Sequence, residues 1–322
     1  MQPGFGMTRR QWLAGLGTAA ATAATGCRGT PDQSGKSRAA VAILRADSYR
    51  ADLVDRLLRG AAACGLDARG KRVLLKPNLV EFEAGSVIHT QVEVLAAAVE
   101  LFERLGAADV RIGEGPGHRR DAFYLAEEAG YRMIPRFETR FVDLNRDDVA
   151  PVGPFAGAER IYLPCSALGA DLIVSVARMK THHWAGATLS MKNLFGVVPG
   201  ELYGWPKNHL HQLGIAQSVA ELGRIFSNSF AIVDGIVGME GNGPIQGRAK
   251  PAGVLVMGRD LAAVDATACR IMGIDPEKIE YLQLAAKRGE VREVRIEQRG
   301  ESIALVRTDF ELIPEFQHVR LG

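Results

Sequence analysis

The sequence has no excess of charge of either sign and few cysteines, and both shortages limit what the protein can do. Of its 39 Lys and Arg residues, Arg9 and Arg10 precede Cys27 and no acidic residue does, so the chain beyond Cys27 carries 37 basic and 37 acidic residues. A chain without a basic excess lacks the electrostatic footprint of nucleic-acid or anionic-membrane binding. None of the four cysteines forms a CxxC pair, so neither an iron–sulfur cluster nor a zinc ribbon is expected.

Several common motifs are missing as well. The sequence contains no GxSxG, no HExxH and no GxxxxGK[ST], which argues against serine hydrolases, zincins and P-loop nucleotide hydrolases in their usual forms. No apolar run has the length of a mature transmembrane helix. With 322 residues, 47% of them hydrophobic and 24% charged, the chain has an ordinary globular composition and enough length for a substantial core.

The first 38 residues have the pattern of an export leader followed by a tether. Thr8-Arg9-Arg10-Gln11-Trp12-Leu13 and the Ala/Gly/Thr-rich run to Ala24 resemble a bacterial twin-arginine signal. Ala24-Thr25-Gly26-Cys27 resembles a lipoprotein cleavage site, with Cys27 as the lipidated residue. We predict a signal peptide over residues 1–27, a flexible tether over 28–38, and export by the twin-arginine machinery to a periplasmic or lipid-anchored location. A frayed N-terminal tail is the alternative.

From residue 39 to residue 322, short apolar runs alternate with amphipathic segments. This alternation predicts one α/β domain with a mostly parallel open sheet and helices on both faces, in Rossmann-like layers. Leu172–Val176 and Phe230–Val233 are predicted as central strands, and Leu210–Phe226 as a helix. The weak alternation between Val291 and Val306 predicts a terminal hairpin.

Each unusual polar cluster follows a predicted strand. The clusters are Lys76 with Asn78, Glu114 with His118, Lys180 through Asn193, Asp234 through Asn242, and Arg259 with Asp260. In open α/β sheets the loops at the carboxyl ends of the strands line a common crevice, where ligands bind. We therefore predict that these clusters meet at one site.

The segment after Val176 is the densest in reactive side chains. Lys180, His182, His183, Lys192 and Asn193 fall within fourteen positions, and such groups are costly to desolvate without partners. Lys192-Asn193 beside an apolar wall suits a carboxylate or phosphoryl oxygen. For Lys76 the alternative is that it binds no ligand and is a solvated lysine at the end of a strand.

Two sets of candidate metal ligands can be named. His182 with His209 or His211, together with His183, offers imidazoles for a transition metal. For His209 and His211 the alternative is that they are surface histidines near a helix N-terminus. Asp234, Glu240 and Asn242 offer hard oxygen ligands for Mg²⁺ or Ca²⁺ on a glycine-rich segment. An ordered loop that uses glycines for positive φ is the alternative there.

The chain resembles the bacterial and archaeal family called domain of unknown function 362. The resemblance rests on Leu75-Lys76-Pro77-Asn78, Gly113-Glu114-Gly115, Lys180-Thr181-His182, Met191-Lys192-Asn193-Leu194-Phe195-Gly196 and the segment from Asp234 to Pro244. Many members carry an added ferredoxin module, whose cysteines this chain lacks, so cluster binding is not carried over. Gly117-His118-Arg119 and Asn193 to Gly200 are more faintly similar to lactate racemases, which isomerise hydroxy acids with a nickel cofactor, and that likeness implies a small carboxylate substrate.

These observations predict an exported enzyme that acts on a small anionic, carboxylate-bearing molecule, as an isomerase or oxidoreductase. Lys76, Lys180 and Lys192 would bind negative charge, and His182 or Glu114 would transfer a proton. Asn78, Asn193, Asp234, Glu240 and Asn242 complete the predicted ligand-binding set, a divalent metal is compatible with it, and the cofactor is otherwise open. The rival hypothesis is a non-catalytic, membrane-tethered protein that holds a ligand or metal in the same crevice.

Overall fold

The computed structural model describes residues 38–118 and 120–322, which fall in one compact unit. The predicted twin-arginine signal, Cys27 and nearly all of the tether lie outside these residues. No helix within the described ranges is long and apolar enough to cross a membrane.

Eleven strands are present in the described residues. They are β1 (Ala39–Arg45), β2 (Arg72–Pro77), β3 (Asp109–Glu114), β4 (Phe141–Asp143), β5 (Val149–Val152), β6 (Ile161–Pro164), β7 (Leu172–His182), β8 (Gly186–Thr188), β9 (Ser229–Glu240), β10 (Arg248–Gly258) and β11 (Ile296–Gly300). Nine of them form one sheet in the order β11-β1-β10-β9-β7-β2-β3-β4, with β8 paired to β7. Strands β5 and β6 form a separate antiparallel pair.

Twelve α-helical segments accompany these strands in the described ranges. They are α1 (Leu53–Ala63), α2 (Val92–Arg104), α3 (Ala122–Glu128), α4 (Phe137–Arg140), α5 (Cys165–Leu168), α6 (Ser190–Asn193), α7 (Gly200–Tyr203), α8 (Asn208–Gln212), α9 (Ile215–Ile225), α10 (Leu261–Ile271), α11 (Glu280–Ala285) and α12 (Ile303–Val306). Short 3₁₀ turns cover Tyr131–Met133, Leu194–Val197, Pro276–Lys278, Glu293–Arg295 and Pro314–Val319.

The predicted fold class is confirmed. In the nine-stranded sheet, β9, β7, β2, β3 and β4 run parallel to one another, as β11 does to β1, and antiparallel pairing is confined to the two neighbours of β10 and to the short β8. Helices α1, α2 and α3 contribute to an apolar cluster on one face, with Leu57 and Phe102 fully buried. Helices α9, α10 and α11 contribute to the cluster on the other face, with Val219 and Leu282 fully buried. The sheet is therefore covered on both sides, as mostly parallel sheets require.

Strands β7 and β9 are longer than the sequence pattern predicts. The expected ends at Val176 and Val233 are wrong, because β7 continues to His182 and β9 to Glu240. Arg178 and Asp234 are cross-strand neighbours in this extension, and their side chains form an ion pair of 3.3 Å with Arg178 Nη1 as the donor. Because each charge compensates the other, two polar residues are accommodated in a buried strand pair.

Three further expectations are wrong. The helix predicted from Leu210 to Phe226 is divided at Gly214, which has φ 95° and separates α8 from α9. The terminal hairpin is absent from the described residues, since β11 pairs in parallel with β1 and is followed by α12. Strand β10 runs antiparallel to β9, with Gly258 opposite Ala231, so its carboxyl end lies at the opposite edge of the sheet from those of β2, β3 and β7.

Candidate functional site

A cavity of about 220 Å³ lies at the carboxyl ends of the parallel neighbours β2, β3 and β7. Its apolar wall includes Leu79, Val80, Trp184, Phe195, Pro206, Pro244 and Ile245. Its polar wall includes Lys76, Asn78, Glu114, His118, His182, His183, Thr188, Lys192, Asn193, Lys207 and His211. Three of the five predicted clusters therefore reach one cavity.

Lys76 and Glu114 form a buried ion pair on the cavity floor. Lys76 Nζ lies 2.7 Å from Glu114 Oε2, and the two side chains are 1% and 2% exposed. Glu114 also accepts hydrogen bonds from Leu79 N (2.8 Å) and Gly115 N (2.9 Å). Burial raises the pKa of Glu114, whereas the Lys76 charge and the backbone donor Gly115 N–H lower it. Because both oxygens of Glu114 face donors, the carboxyl is held in its ionised form.

Asn193 supports this pair. Its Nδ2 donates to Lys76 O (2.9 Å) and Ser175 Oγ (3.0 Å), and its Oδ1 lies 3.4 Å from Lys76 Nζ. Ser175 Oγ in turn donates to Ser190 O. Asn193 therefore ties β2, β7 and α6 together at the cavity.

Asp265 fixes the helix that carries Lys192 and Asn193. This carboxylate, in the wholly buried helix α10, accepts from Ser190 N (2.8 Å), Ser190 Oγ (2.5 Å) and Met191 N (3.0 Å) at the start of α6. Burial, opposed by the hydrogen bonds from Ser190 and Met191, raises the pKa of Asp265 to about 7. Asp265 therefore caps a helix other than its own, and its partner Ser190 lies 75 residues earlier in the chain.

Lys192 differs from its neighbours because its ammonium group has little protein around it to bond. Its Nζ lies 3.8 Å from the centre of the Phe195 ring. Within residues 38–118 and 120–322, no carboxylate forms an ion pair with it. Burial and the nearby Lys76 charge lower the pKa of Lys192 to about 7.

Lys207 was missed by the sequence analysis. Its Nζ donates to Asn145 Oδ1 (2.9 Å) and also to Val198 O, and burial lowers its pKa to about 7. Its φ of 71° is unusual for a residue with a side chain, and such strain is often found at functional sites. The only signal in the sequence was its place in the Gly204-Trp205-Pro206 turn, which does not predict that the side chain points inward.

His182 uses one ring nitrogen to close the turn that follows β7. Its Nδ1 accepts from Trp184 N (3.0 Å) and Ala185 N (3.2 Å), so Nε2 carries the proton. Burial and the Lys192 charge hold the pKa of His182 well below its usual range. His182 is therefore a neutral hydrogen-bond donor at the cavity wall, and Nε2 is unsuited to metal binding because it would first have to lose its proton.

His183 and His211 have the opposite arrangement. Their Nδ1 atoms lie 2.7 Å from Gly243 O and 3.1 Å from Lys207 O, so Nδ1 donates and the lone pair is on Nε2. Burial lowers the pKa of His211. In the neutral tautomer that these bonds select, the two rings, which both line the cavity, offer Nε2 as a base.

His209 does not line the cavity. It stacks on Tyr203 at 5.4 Å, because at the start of α8 it points away from His211, as expected for helical spacing. In the part of the chain that the structure describes, no group of three or more His, Cys, Asp or Glu residues is placed to hold a metal ion.

Four predicted ligand-binding or catalytic residues lie apart from the cavity wall. Lys180 is fully buried and its Nζ donates to Ile88 O (2.8 Å) and Pro244 O (3.3 Å); burial, aided by the Arg178 charge, places its pKa well below the usual value. Lys180 thus connects two segments of backbone behind the wall.

The predicted oxygen-ligand set is dispersed. Asp234 accepts from Tyr49 Oη (3.1 Å) and pairs with Arg178 inside β9. Glu240, the last residue of β9, accepts from Glu311 N (2.8 Å) and lies 3.5 Å from Lys250 Nζ, and Asn242 donates to Gln246. The expectation that these three residues form one pliable loop for Mg²⁺ or Ca²⁺ is wrong, because the first two belong to a strand and have their own partners.

Two polar atoms at the cavity have no partner. Asn78 Oδ1 and Thr188 Oγ1 are buried and make no hydrogen bond with the described residues, although both residues line the cavity. A buried polar atom without a partner costs about 1–3 kcal/mol. A bound molecule that supplies a hydrogen-bond donor would remove that cost.

A family model described as Domain of unknown function (DUF362) matches residues 73–270. The chain belongs to this DUF362 family. The match contains every segment on which the resemblance rests, and it includes Lys76, Glu114, Lys192 and Asn193. Asp265 and all of helix α10 except its last residue, Ile271, are also inside the matched range, whereas β1 and β11 are not.

Three known proteins are similar to this chain. The chain is 28% identical to the Thylakoid-associated protein sll1697 of Synechocystis sp. over 268 residues, which cover 77% of this chain and 79% of that protein. The lactate racemase apoprotein of Thermoanaerobacterium thermosaccharolyticum shares 14% identity at a TM-score of 0.47, covering 74% of this chain and 57% of that one. A protein of Thermotoga maritima shares 12% identity at a TM-score of 0.38, covering 76% and 60%. This chain therefore spans less than two thirds of either of those two structures.

Proposed function

We propose that this DUF362 protein is an enzyme that binds a small carboxylate bearing a hydroxyl group and moves a proton on it. The observation that carries the proposal is the charge of the cavity: its wall includes three lysines but one carboxylate, Glu114. Glu114 is already paired with Lys76, and no carboxylate among the described residues forms an ion pair with Lys192 or Lys207. An anionic ligand would provide their counter-charge.

The orphaned acceptor supports the hydroxyl group. Asn78 Oδ1 needs a donor, which a hydroxyl next to the carboxylate supplies. The volume, about 220 Å³, is below the roughly 300–1,000 Å³ typical of drug-sized ligands, which favours a small acid.

The histidines support the proton transfer. The Nε2–H of His182 donates a hydrogen bond to a ligand oxygen, while His183 and His211 present basic Nε2 atoms. We assign the proton transfer to one of these two bases rather than to Glu114, whose carboxylate is held by Lys76 and already accepts three hydrogen bonds. The reaction class is an isomerisation at the carbon next to the carboxylate.

Calorimetric titration with lactate and with its uncharged amide tests the binding step. Lys192→Gln removes one charged partner, and such bonds contribute about 1.5–3 kcal/mol, so lactate affinity should fall about 10- to 100-fold. Lys287→Gln, at an exposed lysine, is the matched control and should leave affinity unchanged. Equal binding of lactate and its amide by the unaltered protein would contradict the proposal.

Deuterium exchange separates an enzyme from a binding protein. If the protein moves a proton on the ligand, deuterium from D₂O enters the carbon-bound position, as read by NMR. His183→Ala with His211→Ala should abolish the exchange and leave binding within a few fold. Tight binding without any exchange would favour the rival, a non-catalytic ligand-binding protein.

We also propose export and a lipid anchor, on the strength of the sequence of residues 1–27. Fractionation of cells that produce the full chain should place it outside the cytoplasmic membrane, and Cys27→Ser should release it from the membrane fraction. A double variant with Arg9→Lys and Arg10→Lys should no longer be exported. If it reaches the same location as the unaltered chain, the twin-arginine route is refuted.

A further inference from the structure

Lys192 is chemically distinct from the other two lysines of the cavity. Lys76 is held by Glu114 and Pro77 O, and Lys207 by Asn145 and Val198 O. The Nζ of Lys192 instead rests on the face of the Phe195 ring, without an acceptor among the described residues. Its electron pair, once the proton has left, is directed to no protein group.

Two features around Lys192 favour the uncharged amine, in opposition to the Phe195 ring face, which attracts the charged form. Burial and the Lys76 charge lower its pKa to about 7, so about half of the molecules carry the free base near neutral pH. An ordinary lysine with a pKa of about 10.4 is free base in only about one molecule in 2,500 at that pH. The reactive fraction at Lys192 is thus about 10³-fold larger, which is how lysine nucleophiles are activated in apolar sites beside another cation.

We propose that Lys192 forms an imine with the carbonyl group of a small 2-oxo carboxylate in this cavity. The inference rests on the proposed function for the carboxylate site, and it goes further by naming a covalent partner and a second substrate class, in which a carbonyl group replaces the hydroxyl. An imine withdraws electrons from the adjacent carbon, so it would also make a proton on that carbon easier to remove.

The cavity holds the groups that the condensation needs. The Lys192 amine adds to the carbonyl carbon while His182 Nε2–H donates a hydrogen bond to the oxygen. The Lys207 ammonium gives that oxygen one proton, and His211 Nε2 takes a proton from the new nitrogen. The carbinolamine then loses water: the hydroxyl leaves with the proton returned by His211 as the nitrogen lone pair forms C=N.

This sequence is balanced without an oxidant. One amine, one carbonyl compound and one proton from Lys207 give one protonated imine and one water molecule. Lys207 is suited to the acid role because its pKa is about 7, which lets it lose a proton near neutral pH.

Reductive trapping tests the inference directly. The full-length chain is incubated near pH 7 with pyruvate and sodium cyanoborohydride, and the modified lysines are identified by peptide mass spectrometry. We expect Lys192 to be labelled at least about 10-fold faster than exposed Lys287, given the difference in free-base fraction. Uniform labelling of exposed lysines, or labelling at Lys76 or Lys207 in preference to Lys192, would overturn the assignment.

A charge-preserving variant provides the second measurement. Lys192→Arg keeps a cation that does not lose its proton, so it should abolish the trapped adduct, while Lys287→Arg should not. Circular dichroism checks whether both variants are folded. If Lys192→Arg is not folded, the unaltered protein is labelled with pyruvate and cyanoborohydride in the presence of excess lactate instead. Lactate should then protect Lys192 from labelling, and no protection refutes the inference.

The two proposals fail separately. If lactate binds in calorimetry but pyruvate and cyanoborohydride leave Lys192 unmodified, the anion site stands and the imine is refuted. If Lys192 is trapped while lactate does not compete, the carboxylate site itself is wrong and the imine inference falls with it, because the label would then reflect general amine reactivity.

Discussion

Replacing Glu114 by Gln should destabilise the protein by about 3–5 kcal/mol, the usual cost of leaving a buried charge without its partner. Lys76 is 1% exposed, so water cannot take over the role of the carboxylate. The amide adds a second fault: Glu114 accepts from Gly115 N at one oxygen and from Leu79 N and Lys76 Nζ at the other, and Gln has one acceptor atom. Its NH₂ group would therefore face a donor in either orientation.

Urea unfolding followed by circular dichroism measures this cost. A loss of about 3–5 kcal/mol is a large part of the roughly 5–15 kcal/mol that stabilises a typical domain. Glu100→Gln is the control, since Glu100 pairs with Arg104 on the surface and such pairs contribute about 0–1 kcal/mol. Adding Lys76→Met to Glu114→Gln removes the isolated charge and should recover part of the stability. If Glu114→Gln loses less than about 1 kcal/mol of stability, while the dependence of the unfolding free energy on urea concentration is unchanged, the ion-pair reasoning is refuted.

Two further predictions concern the same cavity. In Gly196→Ala the new Cβ would lie 2.6 Å from Glu114 Oε1 and 2.7 Å from Lys76 Nζ, so urea unfolding should show a loss of stability of about 1–3 kcal/mol. Gly117→Ala is the control and should cost less, because the atom nearest to its new Cβ is 3.6 Å away. Equal losses of stability in the two variants would contradict the steric argument. Because the pKa values of Lys192 and Lys207 are about 7 in the free protein, the unfolded chain binds more protons between pH 7 and about 10, and the free energy of unfolding should rise with pH over that interval. Lactate binding would favour the protonated lysines, so the protein should take up protons when it binds lactate above pH 7. Calorimetry should then show a lactate affinity that is constant below pH 7 and that falls above it by up to about tenfold per pH unit for each proton taken up. Binding without proton uptake would contradict this link between the lysines and the ligand.

Hydrophobic patterning was sufficient to predict the layers of the fold, because runs such as β2 and β3 are short, apolar and followed by helices. It was insufficient to predict where β7 and β9 end. Arg178 and Asp234 read as loop residues until the register that places them side by side is known. Strand direction is also invisible in a single run of residues, which is why Arg259 and Asp260 were placed at the wrong edge.

The cavity shows the same division. Lys76 and Glu114 could be predicted because each lies at the end of a strand that reaches the shared edge, and Lys192 and Asn193 because they belong to the dense polar segment that follows Val176. Lys207 could not, since it reaches the cavity through a turn with positive φ. The hydrogen-bond directions of His182 and His183 were also beyond reach, because they depend on which carbonyl and amide groups face each ring.

The contact between Asp265 and the first turn of α6 has a consequence for ligand exchange. The first turn of α6, which carries Lys192, is anchored to α10, a helix whose eleven residues are all buried, whereas Trp184 at the rim is 61% exposed. Passage of molecules in and out would thus be governed by rearrangement of the aromatic rim, with the amine remaining stationary. Hydrogen–deuterium exchange should then be slow at the amide of Met191, which is buried and bonded to Asp265.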